Sequence, residues 1–306
     1  HEQGLLEPRW IVDDPARLPG MARDDFLTEP AIETLDSGRV LVNRRYRDLL
    51  RRHGLDTLSS LLSVAERPEV EVLRTVEWRT NMILRLPDDE GRVVTFYGKA
   101  HDEPGRRGAG AALTEWDNTL ALRRAGVATP HPAVLADDPS TGRSVVFTEM
   151  LPGAIPLDDY LKSLHDKRMT GADPTRSFVL PELARDAGRF VRRFHGAGFN
   201  HRDLYLCHLF VCPHDPGKLF LIDLQRVQHR KRWRRRWLVK DLAQLVYSWK
   251  PVATSRTDAI RFLRAYFDTR KLTREHRALM RSAEGKARRM ARRNREGTTG
   301  GADRDG

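Results

Sequence analysis

Residues 195–224 read HGAGFNHRDLYLCHLFVCPHDPGKLFLIDL, and the reading of the chain turns on this stretch. A helix-patterned run precedes His201-Arg202-Asp203, and an apolar run after it ends in Ile222-Asp223-Leu224. Two aspartates at the ends of short strands behind a helix suit phosphoryl transfer. One accepts a proton from a hydroxyl, and the other holds the metal that neutralises the phosphates. Asp203 is the candidate base, with His201 and Arg202 in the same catalytic turn. A base needs hydrogen-bond reach to its hydroxyl more than a shifted pKa. The tripeptide alone is common by chance, and the strand ending in Asp223 is what raises it. A buried strand that ends in a carboxylate costs solvation unless a positive group, such as a metal ion, meets it.

Upstream, Lys99 ends the run VVTFYGKA and would hold the α- and β-phosphates of ATP. Glu115, on the next helix-patterned run, would pair with it. Lys99 alone reads as a surface lysine at a strand end, but the order of Lys99, Glu115 and the two aspartates is hard to reach by chance. His208 lies five positions after Asp203. It is either a metal ligand or a group that orders the loop. Cys207, His208, Cys212 and His214 fit no common zinc spacing. The basic run His229–Arg236 is interleaved with Trp233 and continues to Trp237, which favours a phosphate or membrane contact over a merely solvated face.

The flanking pattern gives an α+β order. Residues 41–66 read as helical, with Tyr46, Leu49 and Leu50 on one face. Residues 69–75, 80–86 and 92–99 read as an antiparallel meander, 111–125 as a helix, and 134–136 and 144–150 as two more strands. Leu151-Pro152-Gly153 breaks the chain. Beyond it come a helix from Pro156, a polar excursion over 165–179, a helix over 181–196, and helices after Asp241, over 257–268 and over 274–296. The expected division is an N-terminal extension at 1–66, a small lobe at 67–151, a mainly helical lobe at 152–296 and a disordered tail at 297–306.

The chain has 306 residues, enough for a full core in one two-lobed domain or two small ones. With 54 Lys and Arg against 42 Asp and Glu, the net charge of +12 predicts attraction to polyanions. Two cysteines fit a reducing compartment. No run of about 20 apolar residues could span a bilayer as a helix. The opening HEQGLLEPRW shows no leader pattern and no initiating methionine, and is read as a trimmed end.

These residues resemble the Kdo/WaaP lipopolysaccharide kinases, bacterial enzymes that phosphorylate heptose or Kdo of the lipopolysaccharide inner core. The resemblance rests on His195-x-x-Gly198-x-x-His201-Arg202-Asp203-x-Tyr205-x-Cys207-His208 and on Ile222-Asp223-Leu224-Gln225-Arg226-Val227-Gln228. It continues in Arg232-Trp233, Lys240-Asp241-Leu242-Ala243, Glu115-Trp116 and Thr148-Glu149, and covers roughly 92–268. It implies a two-lobed protein-kinase-like fold with a small antiparallel sheet carrying one helix and a mainly helical second lobe. It further implies ATP and Mg²⁺, with Asp203 as base and Asp223 and His208 at the metal. Lys99 and Glu115 would serve the phosphates, the backbone of Glu149, Met150 and Leu151 the adenine, and Asp241 would brace the catalytic loop. The acceptor would be lipopolysaccharide core or another anionic glycolipid. The chain would then be cytoplasmic, open to peripheral contact with the anionic inner membrane, with no specific nucleic-acid partner.

There are departures. Val76-Glu77-Trp78-Arg79 holds no glycine where a phosphate loop is expected, Asp223 is followed by Leu-Gln, and Gln225 stands where many members carry histidine. A small-molecule kinase, a protein kinase and an inactive binding module stay open. Against a protein kinase, only 16 residues (224–239) separate Asp223 from Lys240-Asp241, and no Ala-Pro-Glu follows.

Overall fold

Alternation along the chain builds the first sheet. In the strand Arg79–Pro87, Met82, Leu84 and Leu86 are fully buried on one face, while Asn81 and Ile83 lie on the other. The computed structural model describes residues 29–105, 110–169, 176–230, 235–249 and 255–299. They fall into two units. One holds 29–151 with Asp223–Val227, and the other Pro152–Ile222 with Gln228 onward.

The first unit is a seven-stranded antiparallel sheet. In chain order it comprises β1 (Ile32–Leu35), β2 (Val40–Asn43), α1 (Arg44–Arg52), α2 (Leu58–Leu62), β3 (Val70–Val76), β4 (Arg79–Pro87), β5 (Val93–Asp102), α3 (Ala111–Arg124), β6 (Pro132–Asp138) and β7 (Arg143–Glu149). The spatial order is β1-β2-β6-β7-β5-β4-β3. Tyr46, Leu50, Leu58 and Leu61 of α1 and α2 pack with Met82, Leu84, Phe96 and Phe147. Ala112 and Trp116 of α3 pack with Leu135 and Val146, whose side chains come from the opposite face. The register Asn81↔Lys99↔Val146 puts Lys99 on the α3 face.

Two expectations are corrected here. The helical reading of 41–66 starts too early, because Val40-Leu41-Val42 forms β2 and Asn43 then caps α1, its side chain accepting from Arg45 N at 3.1 Å. Nor does 32–66 stand apart as an extension. Its strands join the sheet through β2–β6 pairing, and the segment as a whole, from Val40 to Val64, supplies half of the larger core.

The second unit contains α4 (Leu157–Met169), α5 (Arg176–Gly196), α6 (Arg235–Trp249), α7 (Arg256–Phe267) and α8 (Arg274–Thr299). It also has small sheets from β8 (Ile155–Pro156), β9 (Phe199–Asn200), β10 (Leu209–Cys212), β11 (Asp215–Leu221) and β12 (Gln228–His229). Their orders are β11-β10-β8 and β12-β9. The polar excursion expected over 165–179 is mostly helix: α4 runs to Met169 and α5 starts at Arg176, with 170–175 outside the described residues. Pro181 lies near the start of α5, so it forfeits one helical hydrogen bond and the helix continues. The basic C-terminal stretch packs rather than floats. Met280, Ala283 and Ala287 are buried, and Asn294 Nδ2 donates to Tyr247 Oη at 2.8 Å. Residues 297–299, expected in a disordered tail, are the last of α8, while 300–306 fall outside the described residues.

Gly98 shows how tight the sheet is. A Cβ there would lie 2.2 Å from Cε1 of Phe147, a side chain with no exposure. Gly98→Ala is expected to destabilise the chain by about 1–3 kcal/mol in urea denaturation, and adding Phe147→Leu should recover part of the loss. A neutral Gly98→Ala would contradict this packing.

Candidate active site

β5 delivers Lys99 and α3 delivers Glu115 to the same face of the first unit. Lys99 Nζ donates to Glu115 Oε1 at 2.8 Å and Oε2 at 2.9 Å. It also donates to Asp223 Oδ1 at 2.8 Å. Lys99 and Glu115 are buried. Burial alone would lower the lysine pKa, but Glu115 and Asp223 outweigh it and hold the ammonium above the ordinary lysine range. Burial pushes Glu115 above the usual carboxylate range. Lys99 opposes that rise, and Asp223 adds to it.

Asp223 is held in place by its neighbours. It adopts φ 58°, ψ 59°, a left-handed conformation that Asp tolerates better than most residues. The next turn is pinned to α3, where Asn118 Nδ2 donates to Leu224 O at 2.8 Å and Val227 O at 3.1 Å. Asn118 is one helical turn after Glu115, so one face of α3 positions both Lys99 and the Asp223 loop. Sequence reasoning missed Asn118, although its spacing from Glu115 was the available signal.

In the second unit Asp241 is fully buried on α6 and organises the His201–Asp203 turn. Its Oδ2 accepts from His201 N at 2.7 Å and its Oδ1 from Arg202 N at 2.9 Å. Arg202 sits at φ 71°, a left-handed conformation costing roughly 1–2 kcal/mol for a residue with a Cβ, which the bonds around it offset. Gln244, one turn further along α6, donates to Arg202 O at 2.7 Å and to Asp203 Oδ1 at 3.3 Å, and accepts from Leu204 N at 3.1 Å. Gln244 was not anticipated, because a polar residue inside a helix carries no signature by itself. Beneath them, His195 Nε2 lies 3.4 Å from Asp241 Oδ2, and its Nδ1 is 2.9 Å from the Tyr266 hydroxyl. Burial, with Asp241 adding, pushes that phenol well above the ordinary tyrosine range.

His208 orders the loop. Its Nδ1 is 2.7 Å from Asp203 O, and a carbonyl can only accept, so Nδ1 carries the proton and the neutral ring keeps its lone pair on Nε2. Metal-ligating histidines often have this tautomer, fixed by the same kind of bond. His201 Nε2 likewise donates to Ile222 O at 2.9 Å. Cys207, His208, Cys212 and His214 form no metal group: none of three or more His, Cys, Asp or Glu exists among the described residues. Glu149 accepts from the Tyr46 hydroxyl at 2.5 Å. Glu149 N donates to His131 O at 2.8 Å and Met150 N to Thr95 O at 2.9 Å. Of the basic run 229–236, residues 231–234, with Trp233, lie outside the described residues. Arg230 stacks over the Trp237 ring at 4.3 Å.

Removing the buried cation tests the triad. Lys99→Met leaves two carboxylates facing each other and is expected to cost ~3–5 kcal/mol at neutral pH. Lys99, with its raised pKa, contributes stability that is complete below the ordinary lysine range and fades only above it. In the variant the dominant group is Glu115. Its raised pKa means that stability is greatest at low pH and falls as pH rises and the carboxylate ionises. The deficit should therefore shrink between pH 7.5 and pH 5 in urea denaturation, and a deficit that grows on acidification would contradict the triad.

Comparison with known proteins comes to the same place. The family model described as "Lipopolysaccharide kinase (Kdo/WaaP) family" matches residues 106–266. The lipopolysaccharide core heptose(I) kinase WaaP of Pseudomonas aeruginosa is 32% identical over 189 residues, 58% of this chain and 68% of that protein. Its namesake from Escherichia coli is 32% identical over 183 residues, 56% and 67% of the two chains. A solved structure of WaaP in complex with acyl carrier protein superposes with a TM-score of 0.62 at 29% identity, covering 82% of this chain and 98% of that one. The fold is the α+β kinase-like one, with an antiparallel N-terminal sheet carrying a helix and a helical C-terminal part. With the family model spanning more than half of its length, this chain belongs to the lipopolysaccharide kinase (Kdo/WaaP) family.

Proposed function

We propose that this chain transfers the γ-phosphoryl group of ATP to a heptose hydroxyl of the lipopolysaccharide core. The observation that carries the reading is the set of functional groups held ready in each unit. Lys99, Glu115 and Asp223 are locked together in one, and the Asp203 turn is braced by Asp241 and Gln244 in the other. The relatives named for heptose kinase activity make heptose the first acceptor to test over Kdo.

In this reading Asp203 accepts the proton of the acceptor hydroxyl, its carboxylate steadied by Gln244. Lys99 holds phosphate oxygens, and Glu115 keeps its ammonium in place. The N–H groups of Glu149 and Met150 are already committed, so these two residues would meet adenine through carbonyl oxygens.

The residues fit a magnesium ion. Asp223 offers hard carboxylate oxygen, and the triad of one cation and two anions carries net negative charge. Mg²⁺ keeps several waters and phosphate oxygens in its shell, so it does not need a cluster of protein ligands. Asp223 would hold it, with His208 a further candidate ligand, and when bound it would supply charge neutralisation at the phosphates. The solved relative is complexed with acyl carrier protein, and we extend that partner to this chain. Co-elution of the two purified proteins in gel filtration is expected, and independent elution at micromolar concentrations would reject it.

The direct test is transfer of γ-³²P from ATP with Mg²⁺ to heptose-bearing and Kdo-bearing core glycolipids. Label is expected on the heptose-bearing acceptor, and Asp203→Ala should lower the rate by roughly 10²–10⁴-fold with folding unchanged. Equal rates for Asp203→Ala and the unaltered chain would overturn the assignment of the base.

A further inference from the structure

We propose that Arg79, with Arg74 beside it, grips the nucleotide phosphates by side chain, where other kinases use the backbone of a glycine-rich loop. This rests on the kinase reading above. The β3–β4 turn is Glu77-Trp78, with Glu77 at φ 49° and no glycine, so backbone cannot approach phosphates there as a glycine loop does.

The sheet register supplies the alternative. Arg74 pairs with Asn81, and Asn81 pairs with Lys99, in one row across β3, β4 and β5. Two positions nearer the turn, and so next on the same face, the row is Val76, Arg79 and His101. Directly paired residues share a face, as do residues two apart in a strand. Arg74, Arg79 and Asn81 therefore lie on the face that carries Lys99. Arg79 is a diagonal neighbour of Lys99, and Arg74 is two strands away, roughly 10 Å between backbones. Extended guanidinium groups cover that span.

Charge balance shows why these cations are needed. The Lys99 ammonium is already shared between Glu115 and Asp223, so the triad cannot by itself attract a polyphosphate. Other arginines of this unit are committed: Arg85 to Glu71 at 2.9 Å, Arg92 to Asp88 at 2.8 Å, Arg52 to Asp89 at 2.5 Å. Among the described residues, neither Arg74 nor Arg79 has an ion-pair or side-chain hydrogen-bond partner. Between Arg74 and Lys99 in register, Asn81 is 7% exposed and its buried Oδ1 has no hydrogen-bond partner among the described residues. An amide in that position, turned to present its NH₂, could donate to a phosphate oxygen. Arginine forks suit phosphate geometry, and charge-assisted bonds of this kind are the stronger ones.

The test is calorimetric titration of the full chain with ATP plus Mg²⁺ and, separately, with adenosine. Arg79→Ala should raise the Kd for ATP roughly tenfold or more and leave adenosine binding unchanged. Arg74→Ala should act in the same direction, and Arg79→Lys should restore part of the affinity. Arg85→Ala removes one positive charge further along the same strand and serves as the control, with ATP affinity retained. ATP binding unchanged in Arg79→Ala, or weakened equally in Arg85→Ala, would overturn the inference and leave the kinase reading standing. Failure of the unaltered chain to bind ATP would overturn both.

Discussion

The buried ammonium of Lys99 is the constraint around which the first unit is arranged. A lone charge at that depth would cost several kcal/mol of solvation, so two carboxylates must reach it. One comes from α3, which must therefore lie across the sheet, and Ala112 and Trp116 hold it there against Leu135 and Val146. The other comes from Asp223, far along the chain, which must be brought back to the same face. Asn118 secures that return by binding two carbonyls of the following turn. Packing, capping and register here serve an electrostatic requirement. In the interior of a stable protein such a cluster is a poor investment, which is why its presence points to chemistry.

The second unit meets a different constraint, the geometry of a backbone turn. Arg202 is forced into a left-handed conformation, and Asp241 makes that tolerable by accepting two successive N–H groups. His195 reaches Asp241 from beneath, and the Tyr266 hydroxyl holds the other side of the His195 ring. Asp203 is thus presented by a rigid support, with Gln244 on its carboxylate and His208 on its carbonyl. Asp223 repeats the device, a strained aspartate at a strand end held by bonds from a helix. Strain of this kind persists where the surroundings fix it, and it gathers at functional sites.

Much of this was legible in the chain. Lys99, Glu115, Asp203 and Asp223 stand out as candidates because their order along elements of clear period matches what phosphoryl transfer needs. Asp241 was legible only through resemblance. Its partners Gln244 and Asn118 were not, since their roles depend on backbone carbonyls and N–H groups that no side-chain pattern encodes. The N-terminal segment was misjudged because Leu41-Val42 continues the apolar pattern of the helix that follows, and only the cap at Asn43 separates strand from helix. The row containing Arg74 was hidden by a bulge between Val72 and Arg74, which moves the later residues of β3 to the other face. Simple alternation assigns Arg74 to the wrong side.

The claim on which the account stands is that these groups phosphorylate a heptose of the core. Correlated ³¹P–¹H NMR of the glycolipid product, formed from ATP and Mg²⁺ by the purified chain, tests it most directly. The account predicts one new phosphomonoester coupled to a heptose ring proton. A phosphate coupled to Kdo protons, or ATP consumed with no phosphorylated glycan, would contradict it.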